Sequence, residues 1–295
     1  MGGPPMRNTG EPPVPRRGVT QLRLNRAILY AVLLTGAVMF MAPLYIMVSL
    51  SLKTPDEISN SSMWSWPAHA TLANYAKVLT DPELNFFRKF VNTLFLAAAP
   101  TIASVLTGAM VAYPFARLRF PGRDRLFLIL LSTMMLPGVV TMIPGYVLMA
   151  NLGWINTYKP FIIPAFFGGG AFGIFLIRQF MMAIPRELDE AAKIDGASHA
   201  TIFWRILLPN CAPVLATLGV LGFVGGFKDF LGPLLYLSDP DLMNLEVALR
   251  SLQSSHKTEF HLLMAGSMIV LLPIFLIFLF GQRYFARGIT LSGGK

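Results

Sequence analysis

Residues 183–210 read AIPRELDEAAKIDGASHATIFWRILLPN, a polar stretch set between two long apolar runs. Pro185 suits the first turn of a helix, where its missing N–H is not needed. Glu187, Asp189 and Glu190 then stand where the helix dipole favours anions. Good helix formers continue to Ile194, and Asp195-Gly196 ends the helix, because glycine supplies the left-handed conformation a C-terminus commonly needs. Ser198 can cap a second short helix carrying Ile202, Phe203, Ile206 and Leu207, which Pro209 closes. Residues at that spacing share one helix face. That face either rests on the ends of neighbouring helices or is offered to a partner protein.

The flanking runs decide the environment of this helix pair. Of 295 residues, 54% are hydrophobic and 13% charged, and the mean hydropathy is +0.58. A soluble domain carries about 25% charged residues. Six runs reach the roughly 20 residues needed to cross a hydrocarbon core: about 27–51, 90–116, 126–150, 160–182, 211–236 and 261–282. The fold class is therefore an all-α integral membrane protein of six transmembrane helices. Pro137, Pro144 and Pro164 interrupt the third and fourth runs, which a span tolerates where other helices or a wet cavity satisfy the freed backbone groups. Simple kinks between packed helices are the other reading.

Orientation follows from the basic residues. With the amino terminus inside, sixteen of the 24 Lys and Arg fall on inner segments and seven on outer ones, Lys228 being the remaining one. Both termini are expected in the cytoplasm. Trp64, Trp66, Trp154 and Tyr158 then lie near the outer boundary, where amphipathic rings are favoured. The first run is too long for a secretory signal's apolar core and no small-residue cleavage site follows it. Residues 1–25, rich in Pro, Gly and Arg, read as a disordered inner tail, leaving 26–295 as one transmembrane domain.

Several function classes drop out. The net charge of +9 comes from residues flanking apolar runs, not from a basic stripe with interleaved aromatics, so nucleic acid is not the partner. Cys211 stands alone, and His69, His199, His256 and His261 show no metal-ligand spacing. No GxxxxGK[ST] phosphate loop is present, no nucleophile–base pair stands out, and the chain is not read as an enzyme.

The pattern Glu190-Ala191-Ala192, three residues, Gly196, nine residues, Ile206, one residue, Leu208-Pro209 resembles the EAA loop of ATP-binding-cassette importer permeases. Ala112 to Gly122, the stretch from Leu136 to Ser198 with Ile143-Pro144, Asn156-Thr157-Tyr158 and Phe172-Gly173-Ile174-Phe175, and the ending Gln282 to Gly288 are similar to carbohydrate permeases of the maltose-transporter type. The likeness covers about 27–295 and points to the second membrane subunit of the pair. It implies a type I importer permease fold in the bacterial inner membrane, with residues 183–210 as the coupling helix pair. Glu190, Ala191, Ala192, Asp195, Gly196, Ile206, Leu208 and Pro209 are then the contact with a separate ATPase. It also implies a second permease, an ATPase dimer that alone binds ATP and Mg, an extracytoplasmic solute-binding protein, and a sugar or oligosaccharide as solute. A glycerol phosphate, polyol or other polar solute on the same architecture is the alternative. No cofactor is expected in this chain.

One segment departs from the family. Its fifth span often carries Trp-Asn before a Phe-Leu-x-Pro-Leu segment, where this chain reads Phe227-Lys228-Asp229-Phe230-Leu231-Gly232-Pro233-Leu234. A charge at the bilayer centre costs at least about 3 kcal/mol on insertion scales. Lys228 and Asp229 should therefore line the pathway or make a structural contact near the outer mouth, each with other groups because adjacent helical residues do not face each other. Gly219, Gly222 and Gly226 would let another helix approach closely, which marks this region for the partner permease. The polar loop 237–260 and the tail 283–295 complete the expectations. In maltose-type relatives the first reaches into the binding protein, and the second enters the ATPase dimer interface or merely anchors at lipid headgroups.

Overall fold

Apolar runs separated by prolines and glycines form helices that are long where the runs are unbroken and bent where they are not. A computed structural model describes residues 17–253 and 259–290. Among these residues there is no β-strand. The helices are α1 (Arg17–Leu52), α2 (Pro55–Asn60), α3 (Ala73–Thr80), α4 (Phe86–Arg117), α5 (Arg123–Ser132), α6 (Gly138–Asn151), α7 (Lys159–Ile162), α8 (Ala171–Ala183), α9 (Glu187–Ile194), α10 (His199–Thr201), α11 (Leu208–Asn210), α12 (Ala212–Phe227), α13 (Leu231–Tyr236), α14 (Leu245–Ser251) and α15 (Phe260–Thr290). Residues 1–16 of the expected tail, 254–258 of the loop and 291–295 at the carboxy terminus lie outside the described residues.

Four segments are long and apolar enough to cross a membrane: Arg26–Leu52, Phe86–Arg117, Lys159–Ala183 and Phe260–Ile277. Two bent helix pairs pass the same test of length and composition, α5 with its 3-10 extension against α6 at 97°, and α10–α11 against α12 at 72°. Counting each pair once gives the six expected spans. Pro137 stands at the first bend and precedes α6. Pro144 sits inside α6, and α4 runs through Pro100 and Pro114 without ending. Proline alone therefore did not locate the breaks. The fourth span is interrupted where Gly168, Gly169 and Gly170 all take positive φ, a conformation open to residues without a Cβ.

Helix α4 is the spine of the bundle, packing on α8, α12, α14 and the Pro164–Phe167 turn. Two cores lie along it. One gathers Ala109, Ala112, Ala116, Ile177, Met181 and Phe203 at the end that carries residues 183–210, the loop end. The other, at the far end, gathers Val78, Phe86, Ala97, Phe227, Leu245 and Leu262. The outward faces are apolar: Phe40 is 83% exposed and Met135 84%. Water would not tolerate so much contiguous apolar surface, whereas lipid and other helices do.

At the far end, Lys53 is buried to 1% exposure. Its ammonium donates to Ser61 Oγ, the Ser62 carbonyl and Ser65 Oγ at 3.0, 2.8 and 2.9 Å. All three donors are satisfied, which makes burial of the charge tolerable. This knot holds the segment bearing Trp64 and Trp66, both more than half exposed, and Tyr45 Oη donates to the Trp64 carbonyl at 3.0 Å.

Candidate functional site

The 183–210 segment folds as a helix, a turn and a second helix. Helix α9 ends at Ile194; the Asp195 and Ala197 amides donate to the carbonyls of Ala191 and Ala192 at 3.1 and 2.9 Å. Gly196 takes φ +81°, with open space where a Cβ would stand. Ser198 Oγ accepts the Thr201 amide at 3.2 Å, capping the second helix.

That second helix does not close at Pro209. It passes through a π-helical turn, Ile202–Leu207, in which the Leu208 amide donates to the Phe203 carbonyl, and continues as α11 into α12 across the bend. Proline cannot donate to the carbonyl four residues back and its ring crowds that group. The widened turn absorbs the mismatch, and Pro209 opens the next helical turn, where its missing N–H costs nothing. Such insertions are frequent at functional sites.

The loop has two unlike faces. Ile202, Phe203 and Leu207 are buried, with Phe203 in the loop-end core beside Ala112 and Met181. The other face carries Glu190, Ala191, Lys193, Asp195 and Gly196, all exposed, with Ala192, Ile206 and Leu208 partly covered. Ile194 is 87% exposed and Trp204 49%. Those two apolar side chains were not among the residues read from the motif. Their signal was an apolar residue in a polar helix, which one sequence does not separate from a core contact.

The glycines and charges of the fifth span fall into two places. A Cβ on Gly226 would stand 3.0 Å from Ala97 Cα, and one on Gly222 3.0 Å from Thr101 Oγ1. The close approach predicted from their spacing is made, within this chain, to α4. Helix–helix packing without a hydrophobic driving force favours such small residues wherever two backbones meet. Both glycines also border a groove of about 440 Å³ with Thr101, Ser104, Gly168 and Gly169.

Lys228 and Asp229 lie beyond the helix. Helix α12 ends at Phe227 and Lys228 is its C-cap. Asp229 Oδ1 accepts the Gly232 amide at 3.1 Å, holding the start of α13, and its carbonyl accepts from Asn244 Nδ2. Lys228 borders a cavity of about 420 Å³ with Glu246 and Arg250 of α14. Burial pushes the Glu246 carboxyl above the usual range, and nearby Lys228 partly offsets the push. The two neighbours face different partners, so the break in the fifth span is where its charges are accommodated.

Loop 237–260 is less free than its polarity implies. Asn244, Leu245, Val247, Ala248 and Leu249 are buried. Asn156 at φ +60° accepts the Ser238 and Asp239 amides on its Oδ1 at 3.0 and 2.9 Å, and its own amide donates to the Tyr236 carbonyl at 2.7 Å.

A bundle of apolar helices around one spine, with a structured loop that shows one buried and one solvent face, has the form of a membrane transport subunit. The chain belongs to the family described as binding-protein-dependent transport system inner membrane component, whose model matches residues 104–291. It is therefore a multi-pass inner-membrane permease. It is 34% identical over 229 residues, covering 78% of this chain and 81% of the relative, to the arabinooligosaccharides transport system permease protein AraQ of Halalkalibacterium halodurans. It is 30% identical over 257 residues, 86% and 91% of the two chains, to the melibiose/raffinose/stachyose import permease protein MelC of Bacillus subtilis. Among solved structures, a bacterial ABC transporter involved in the import of the acidic polysaccharide alginate contains a chain matching with TM-score 0.79 at 22% identity. That match covers 93% of this chain and all of the other, and shows the shared type I importer permease fold.

Proposed function

We propose that this permease pairs with a second permease to form an alternating-access pathway for a neutral sugar or oligosaccharide, delivered by an extracytoplasmic solute-binding protein. The carrying observation is the two-faced 183–210 loop. Its buried face locks it to the spans, while Glu190, Ala191, Ile194, Asp195 and Gly196 stand outward together as a preformed surface for the ATPase. ATP and Mg are bound by that partner, not by this chain. Relatives named for arabino-oligosaccharides and for melibiose, raffinose and stachyose support a sugar over a glycerol phosphate or polyol. The groove between α4, α8 and α12 is lined without a charged side chain, which fits an uncharged solute.

The positive-inside count supports an orientation with the loop end and both termini in the cytoplasm and the Lys53–Trp66 knot outside. ATP drives the cycle by binding the closed ATPase dimer more tightly than the open one. The tail's expected role at the ATPase falls largely outside the described residues; on this reading, deleting 289–295 should leave assembly intact and uncouple hydrolysis from transport. The test of the whole reading is a reconstituted complex challenged with binding protein loaded with pentose or galactose oligosaccharides. One loaded form should stimulate ATP hydrolysis. A purified chain that retains no ATPase subunit, or hydrolysis indifferent to every loaded form, would sink it.

A further inference from the structure

Helix α9 is tied from beneath. Asp189 points away from the exposed face, its side chain 11% exposed, and its Oδ2 lies 3.0 Å from Nε of Arg117, itself 4% exposed, at the end of α4. Nη2 of the same guanidinium donates to the Ile184 carbonyl at 3.0 Å, where the chain leaves α8. One side chain thus joins the end of α4, the exit of α8 and the first turn of α9. One turn earlier on α4, the Tyr113 hydroxyl lies 3.0 Å from Nδ1 of His199 at the start of the second loop helix. The Tyr113 ring meets Phe203 at 5.5 Å.

A buried ion pair is a weak source of stability, because desolvating both charges offsets their attraction. Here the balance is poorer still, since Asp189 Oδ1 and Arg117 Nε make no well-aligned hydrogen bond. Apolar residues of similar size would hold a passive loop as well. What a buried pair does supply is one defined geometry, because any sliding leaves an unpaired charge in an apolar site. The pair sits between the face of α9 that carries Glu190 and Ile194 and the helix that borders the groove through Thr101 and Ser104.

We infer that Arg117 and Asp189, seconded by Tyr113 and His199, are positioning residues for energy coupling. They make the docking loop and the second span one rigid lever, so that displacement imposed on the loop moves α4 instead of bending the α8–α9 connection. This rests on the reading of the loop as the ATPase dock.

The test uses the full reconstituted complex carrying Asp189→Asn, Arg117→Gln and both together. Solute transported per ATP hydrolysed and the ATPase subunit retained are measured for each. Each single change should lower transport per ATP by about tenfold while the ATPase stays bound. The double should be no worse than about twofold below the weaker single, since the two residues act through one contact. A single variant with the wild-type ratio, or a double whose loss is the product of the single losses, overturns the inference. Should the variants fail to accumulate in the membrane, Arg117→Lys carries the test. It keeps the charge but lacks the planar fork that reaches Asp189 and Ile184 together, and an unchanged ratio in it overturns the inference too. Failure of the docking reading shows separately: Ile194→Asp, which does not touch the pair, would then retain the ATPase as the wild type does.

Discussion

Thr93 Oγ1 accepts the Leu245 amide at 2.9 Å and donates to the Lys89 carbonyl at 2.7 Å, so a buried hydroxyl of the second span holds the first residue of α14. The segment after it is core, not loop. Thr93→Val keeps the shape and leaves the Leu245 N–H unsatisfied, a loss of about 1–3 kcal/mol. Thermal unfolding of the purified complex should shift down by several degrees. No shift would mean that α14 is held by packing alone.

The same contact limits which part of loop 237–260 can be replaced without disturbing the fold. Replacing 240–256 with a Gly/Ser linker would remove buried Asn244, Leu245 and Leu249 and unfold the far end. Replacing 253–258 alone should weaken stimulation by loaded binding protein while basal ATP hydrolysis is retained. Full stimulation would place the binding-protein contact elsewhere, with Trp64 and Trp66 the next surface to change.

Gly196 separates strain from sterics. A Cβ there meets nothing within 4 Å, so Gly196→Ala costs only the left-handed conformation, on the order of 1 kcal/mol. Gly196→Val adds a branched side chain on the exposed face of the loop, the proposed ATPase contact. Uptake should fall modestly in the first and collapse in the second, with both chains inserted normally. Equal uptake in the two would remove the turn from the contact.

Gly169 is the harder constraint. It has φ +68°, and a Cβ would overlap Ser104, standing 2.7 Å from its Cα. Gly169→Ala must push α4 away from the break in the fourth span. The expected result is poor accumulation or loss of uptake, larger than for Gly153→Ala, where φ is +67° but space is open. Similar behaviour of the two would show that backbone strain alone matters.

Glu246 makes a pH prediction. Its carboxyl is raised above the ordinary range by burial, so the folded chain favours the protonated form. That favourable contribution is complete below the unfolded pKa of about 4.3 and is lost as pH rises through the folded value. Glu246→Gln should abolish this share of the pH dependence and be at least as stable as the wild type near neutrality. Lower stability of the Gln variant at pH 7 would mean that the ion attraction of Lys228 outweighs burial.

Much of this architecture was legible in order along the chain. Helix α9, the Gly196 turn and the Ser198 cap depend on dipole, backbone conformation and a hydroxyl three residues from its amide, all local properties. The spans depend on run length against bilayer thickness, a comparison that needs no partner. Reading Pro144 as a break failed, since α6 runs through it as α4 runs through Pro100 and Pro114; a proline inside a helix can bend it without ending it.

Tertiary structure decided whatever requires knowing which faces meet. Asp189 was legible as an anion at a helix start and Arg117 as a basic residue at a span's inner end; their separation in sequence hides that one buries against the other. Gly222 and Gly226 announced a close approach but not to which helix, since a missing Cβ is equally useful to any neighbour. The polar loop 237–260 looked free because polarity marks solvent only on average, and Asn244 is buried by satisfying the α14 N-terminus, where its Oδ1 accepts the Val247 amide. Local chemistry determined which elements form, and packing determined which of their faces stay available for partners.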